Sequence, residues 1–124
     1  MRFSNSGEYK IDAEFNDISG LKDGAPVEIA GVQIGEVKGI RLNSTRAIVN
    51  LQIKNEFKLR SEDIAQIRTK GIIGDKYVRI SPGGSDIVLE PGEMITDTES
   101  SVDFEDIIGK FIYSLDKDSD DSAK

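Results

Sequence analysis

Gly31-Val32-Gln33-Ile34-Gly35-Glu36-Val37-Lys38-Gly39-Ile40-Arg41-Leu42-Asn43 is the run on which the fold turns. Val32 and Ile34 share one parity of a two-residue period, Val37 takes the other, and Ile40 and Leu42 return to the first. Side chains along a strand alternate between faces, so each change of parity requires a bulge or a bend. Both changes coincide with a glycine, Gly35 and Gly39. A long strand that bends twice is what a small closed barrel needs, because closure demands coiled strands.

The flanking segments agree. Ala47, Val49, Leu51 and Ile53 alternate with Ile48, Asn50, Gln52 and Lys54 after the turn Asn43-Ser44-Thr45-Arg46. Tyr9, Ile11, Ala13 and Phe15 alternate in the same way, and Pro26 opens a short strand carrying Val27 and Ile29. Between these two, residues 17–24 form a turn-rich connector pinned by Ile18 and Leu21. Residues 55–63 form a polar connection pinned by Phe57 and Leu59. Further strands are expected around Ala65, Ile67 and Thr69, around Val78 and Ile80, over residues 87–89 and over residues 94–96. These make seven or eight short strands, and the expected fold is all-β, a small seven-stranded β-barrel.

Composition narrows the function classes. At 124 residues there is chain for one core. The chain has no cysteine and no histidine, which removes disulfides, thiol chemistry, Cys/His metal sites and every His-based mechanism. No catalytic residue, metal site or cofactor is expected. A formal net charge of −7 and 6% aromatic residues argue against nucleic acid as a partner, because phosphate contact needs a basic surface.

Lys70-Gly71-Ile72-Ile73-Gly74-Asp75-Lys76-Tyr77 departs from the rule that turns are polar. Two bare isoleucines stand between two glycines, directly after one strand and before the next. Ile72 and Ile73 either fold back into their own core or meet a partner subunit, a membrane or a lipid. Beyond the strands the period changes. Phe104, Ile107, Ile108, Phe111, Ile112 and Leu115 follow the spacing of an amphipathic helix. Ser100 or Ser101 can cap it, and Asp103, Glu105 and Asp106 suit its N-terminal dipole end. Its apolar face packs either on the barrel or on copies of itself. The expected division is an N-terminal linker over 1–7, the barrel over 8–98, the helix over 99–115 and a disordered acidic tail over 116–124.

Two blocks resemble a known family. Residues 15–22 (FNDISGLK) with 25–37 (APVEIAGVQIGEV), and residues 67–78 (IRTKGIIGDKYV), resemble the signatures of the mammalian cell entry (MCE) domain. The closing residues 92–95 (GEMI) and 105–111 (EDIIGKF) are similar to its single-domain MlaD branch. The likeness spans roughly Tyr9 to Tyr113. It implies a β-barrel assembling into a homohexameric ring on the periplasmic side of a bacterial inner membrane. That ring partners an ABC-type permease and ATPase and moves phospholipid between inner and outer membranes. In the family the loop matching Gly71-Ile72-Ile73-Gly74 lines a central pore, usually with paired leucines where this chain has isoleucines. The helix residues named above then extend the apolar path. Members of this branch carry an N-terminal membrane anchor that the sequence given does not show, so an anchor upstream is expected.

Three rivals stand beside that reading. One is an adaptor barrel that binds another protein through Ile72 and Ile73 without carrying lipid. A second is an enzyme working through paired carboxylates among Asp63, Asp75, Glu90 and Glu93, although 23 acids make chance pairs inevitable. A third is an oligonucleotide-binding barrel, which the charge opposes.

Overall fold

The computed structural model describes residues 7–72 and 74–101. These form an all-β chain in the order β1 (Glu8–Phe15), β2 (Pro26–Ile29), β3 (Val32–Asn43), β4 (Arg46–Lys54), β5 (Ile64–Thr69), β6 (Lys76–Ser81), β7 (Met94–Ile95) and β8 (Thr98–Glu99). All eight belong to one sheet, ordered β7-β1-β4-β3-β2-β6-β5-β8.

The sheet nearly closes on itself through its last segment. Met94 and Ile95 run parallel to β1, opposite Asp12 and Ala13. Only two residues later Thr98 and Glu99 run parallel to β5, opposite Ala65 and Gln66. One extended stretch therefore crosses from one edge to the other and satisfies both. The strand count is thus eight rather than seven. The strand expected over 94–96 is Met94–Ile95, and an unexpected further one follows at Thr98–Glu99 with a different neighbour. The one expected over 87–89 is reduced to a single bridge between Arg60 and Val88.

β3 bends where the parity changes predict. Gly35 pairs with Val27 but Gln33 pairs with Glu28, so β3 carries one extra residue there. Val37 faces Leu51 but Ile40 faces Val49, which places a second extra residue around Gly39. Gly39 has φ 147° and Gly35 lies against the carbonyl of Gln52, so neither position has room or conformation for an ordinary side chain. The β2–β3 hairpin turns through Ala30 and Gly31, both at positive φ, the mirror-image turn that matches strand twist.

The barrel interior is filled. Ile11, Ala13 and Phe15 of β1, Val49, Leu51 and Ile53 of β4, Ala65 and Ile67 of β5, and Val78 and Ile80 of β6 meet in one buried cluster. Each large side chain there contributes about 1.5–3 kcal/mol on leaving water. The connector pins behave as expected: Leu21 and Leu59 are buried in this cluster, with Ile18 and Phe57 packed against it.

The helix expected over 99–115 falls almost wholly outside the described residues, and Phe104, Ile107, Ile108, Phe111, Ile112 and Leu115 lie there with it. The described part of that range is not helical. Glu99 ends β8, and Ser100 and Ser101 follow the β1 end. The Ser100 hydroxyl accepts from the amides of Asn16 and Asp17, and the Ser101 amide donates to the Asp17 carbonyl. Residues 1–6 and 116–124 also lie outside the described part.

Candidate functional site

Strand direction decides what shares an end of the barrel. β1, β3, β5 and β8 finish where β2, β4 and β6 begin. The connector 16–25, the turn at Ser44 and Thr45, the loop between β5 and β6, and the exit at Ser101 therefore all sit at one end.

The β5–β6 loop leaves that end as a prolonged hairpin. The ladder reaches Thr69 opposite Lys76, and the Lys70 amide adds a rung by donating to the Asp75 carbonyl at 3.0 Å. Gly71 then takes φ 70°, a conformation that disfavours a side chain. Ile72 follows with 70% of its surface exposed, so it does not return to the core. Ile73 lies outside the described residues. Gly74 closes the loop against Lys70 so tightly that a Cβ would collide with the Lys70 carbonyl.

The base of the loop is fixed on the barrel's outward face. The Lys70 ammonium lies 2.6 Å from a carboxylate oxygen of Glu28 on β2 and 4.5 Å from the ring centroid of Tyr77 on β6. Glu28 is 7% exposed, so this carboxylate is buried and Lys70 compensates it. Nothing in the spacing of the sequence could have shown this contact. It depends on β2 and β6 lying side by side in parallel, with Glu28 level with Arg79. The outward parity of Glu28, Lys70 and Tyr77 was the only readable hint.

Beside the loop base lies a hollow of about 210 Å³ lined by Gly20, Ala25, Pro26, Asp75 and Lys76 among others. A larger open cleft of about 480 Å³ occupies the opposite end, with Tyr9, Leu89 and Pro91 in its wall. Lys10 and Lys58 stand there against Glu8 and Glu90, so the charges balance and select no ion. Asp63, one of the acids weighed for catalysis, serves the fold instead: its carboxylate accepts from the amides of Arg60 and Gly83. Among the described residues no three acids cluster as a metal site would require.

The family model for the MlaD protein matches residues 7–83. The intermembrane phospholipid transport system binding protein MlaD of Haemophilus influenzae is 35% identical over 128 residues, covering 98% of this chain and 76% of its own length. The MlaD protein of Escherichia coli K12 is 34% identical over 113 residues, covering 85% of this chain. This chain spans 62% of that relative's length. A chain of the Acinetobacter MlaFEDB complex in its ATP-bound Vtrans1 conformation shares the fold, with a TM-score of 0.76 at 24% identity. That likeness covers 90% of this chain and 83% of the other. The chain belongs to the MlaD family, as the signature blocks around the β1–β2 connector and the β5–β6 loop implied.

Proposed function

We propose that this protein is the lipid-binding component of an intermembrane phospholipid transport system, and that Ile72 and Ile73 line its path. The observation that carries this reading is a large apolar side chain, Ile72, held out of the barrel at the tip of a glycine-bounded loop. The named function of the Haemophilus and Escherichia relatives supports it.

A filled barrel favours a route outside its lumen. The lumen holds Ile, Val, Leu and Phe side chains with almost no exposure, so a lipid cannot pass through one barrel. A path must run between barrels. A homohexameric ring with one loop from each copy at its axis meets that need. A phospholipid leaving a bilayer exposes about 30 methylenes, on the order of 25 kcal/mol if all were wetted. One isoleucine pair covers little of that, whereas a ring of pairs surrounds the chains continuously. Such contact reads acyl chains and not head groups, so selectivity among phospholipids is loose. The helix residues Phe104, Ile107, Ile108, Phe111, Ile112 and Leu115 would prolong the apolar path. The described chain ends at Ser101, at the same end as the loop, which suits that role. The ring stands on the periplasmic side of the inner membrane, anchored upstream, with an ABC permease and ATPase as partners. The MlaFEDB likeness in fold is compatible with this assembly.

The test replaces both tip residues, Ile72→Asn with Ile73→Asn. Expected are normal folding and assembly with loss of phospholipid transfer to the outer membrane. Normal outer-membrane lipid balance in cells carrying only this variant overturns the reading. Loss of partner binding with unchanged lipid content would favour the adaptor instead.

A further inference from the structure

A two-stranded hairpin that extends beyond its sheet has no strand on either side to fix its direction, because strand ribbons twist readily about their own axis. The loop at Gly71–Gly74 is such an extension, and an apolar tip is useful at a pore axis only if it points there. A contact to a third strand removes the freedom. Lys70 makes that contact. It is the residue on which the loop opens and closes, through its amide bond to Asp75 and the packing of Gly74 on its carbonyl. Its side chain leaves the hairpin altogether and ends on Glu28 of β2.

We propose that Lys70 is a positioning residue, which ties the Ile72 loop to Glu28 and so sets the direction in which the loop leaves the barrel. This rests on the pore reading of Ile72 and Ile73. A cation beside a lipid path invites a different role, receiving the phosphate of a head group. The geometry opposes it: the Lys70 charge is neutralised by a buried carboxylate at hydrogen-bond distance and its ammonium is shared with the Tyr77 ring. Arg79 stands level with Glu28 in the neighbouring strand and makes no ion pair among the described residues. It can take over the Glu28 charge if Lys70 is removed, so the barrel survives while the loop is released.

The two roles separate in the full-length protein carrying Lys70→Gln, Lys70→Arg, Glu28→Gln or Lys70→Gln with Glu28→Gln. Two readouts are needed: amide hydrogen exchange over residues 71–75 against that of β4, and phospholipid transfer to the outer membrane in cells relying on the variant. Lys70→Gln and Glu28→Gln should each speed loop exchange by about tenfold or more while β4 stays protected. Both should lower transfer several-fold, the double variant no further than either, and Lys70→Arg should restore most of it. If Glu28→Gln loses β4 protection, the double variant, which leaves no buried charge, decides in its place. Parental exchange and transfer in Lys70→Gln overturn the proposal. So does loss of transfer in Lys70→Gln with parental or raised transfer in Glu28→Gln, since Lys70 would then act on the lipid itself. The Ile72→Asn, Ile73→Asn variant run alongside tells the failures apart. If it alone loses transfer, the positioning role fails and the pore reading stands. If it transfers normally, the pore reading fails, and loop exchange still decides whether Lys70 holds the loop.

Discussion

Tyr9 shows how one residue can hold a long connection to the barrel. Its hydroxyl donates to the Phe57 carbonyl at 2.6 Å and accepts from the Leu59 amide at 3.1 Å, pinning residues 55–59 across the start of β1. Tyr9→Phe keeps the packing but leaves the Leu59 amide without its acceptor, so unfolding in urea should show a loss of about 1–2 kcal/mol. Burial of the ring, against the Leu59 bond that acts the other way, pushes the phenol above its ordinary value of 10.0. The neutral phenol is favoured in the folded state, so its contribution is complete below the unfolded pKa and disappears as pH rises through the folded one. The alkaline loss of stability should therefore be smaller in Tyr9→Phe. Glycines give a second contrast at this scale. Gly35→Ala drives a methyl group into the Gln52 carbonyl of the paired strand and should cost more than about 3 kcal/mol or prevent folding. Gly24→Ala meets open space and strains only a backbone at φ 88°, for about 1–2 kcal/mol. Thermal unfolding of the two variants separates collision from conformation.

At the scale of elements, closure hangs on the shortest strands. β8 is tied to β5 by its parallel pairing and by Arg68, whose guanidinium lies 2.6 Å from the Glu99 carboxylate. The Arg68 hydrogen bond, with help from Gln66, holds Glu99 below the usual carboxylate range. A depressed folded-state pKa stabilises above the unfolded value of about 4.3 and is lost as pH falls through the folded one. The difference in Tm between the parent and Glu99→Gln should thus hold at neutral pH and shrink as pH falls below the unfolded value; a difference that stays constant in acid would show that the pair does not hold the seam. The legibility of these elements follows their environments. β4 could be read outright, since Ala47, Val49, Leu51 and Ile53 all face one buried side. Both bulges of β3 could be read because a parity change leaves a mark in the spacing of apolar residues. The division of residues 94–99 into β7 and β8 could not, because it depends on which edges meet when the barrel closes. Ile87 and Val88 misled for a different reason: a run of three apolar residues does not say whether it is covered, and both are exposed. The Ile72 loop stood out because its residues contradict its setting, whereas the Lys70–Glu28 tie involves residues ordinary for theirs.

For the whole molecule, the proposed lipid path makes a single copy, with its filled barrel and exposed apolar loop, an incomplete carrier. On that proposal assembly brings loops together, and charge resists it, because every added copy brings another formal −7. That repulsion acts over a Debye length and is screened by salt, whereas apolar contact between copies is not weakened by it. The ring should therefore form more completely as ionic strength rises. Sedimentation of the chain at about 0.02 M and about 0.3 M salt should show the larger species gaining at the higher value. Native mass spectrometry of that species should read six subunits with phospholipid retained. Dissociation on adding salt would mean that ion pairs between copies hold the assembly instead. A lipid-free monomer under both conditions would remove the shared axis on which the path depends, leaving Ile72 with a protein partner as the remaining explanation of its exposure.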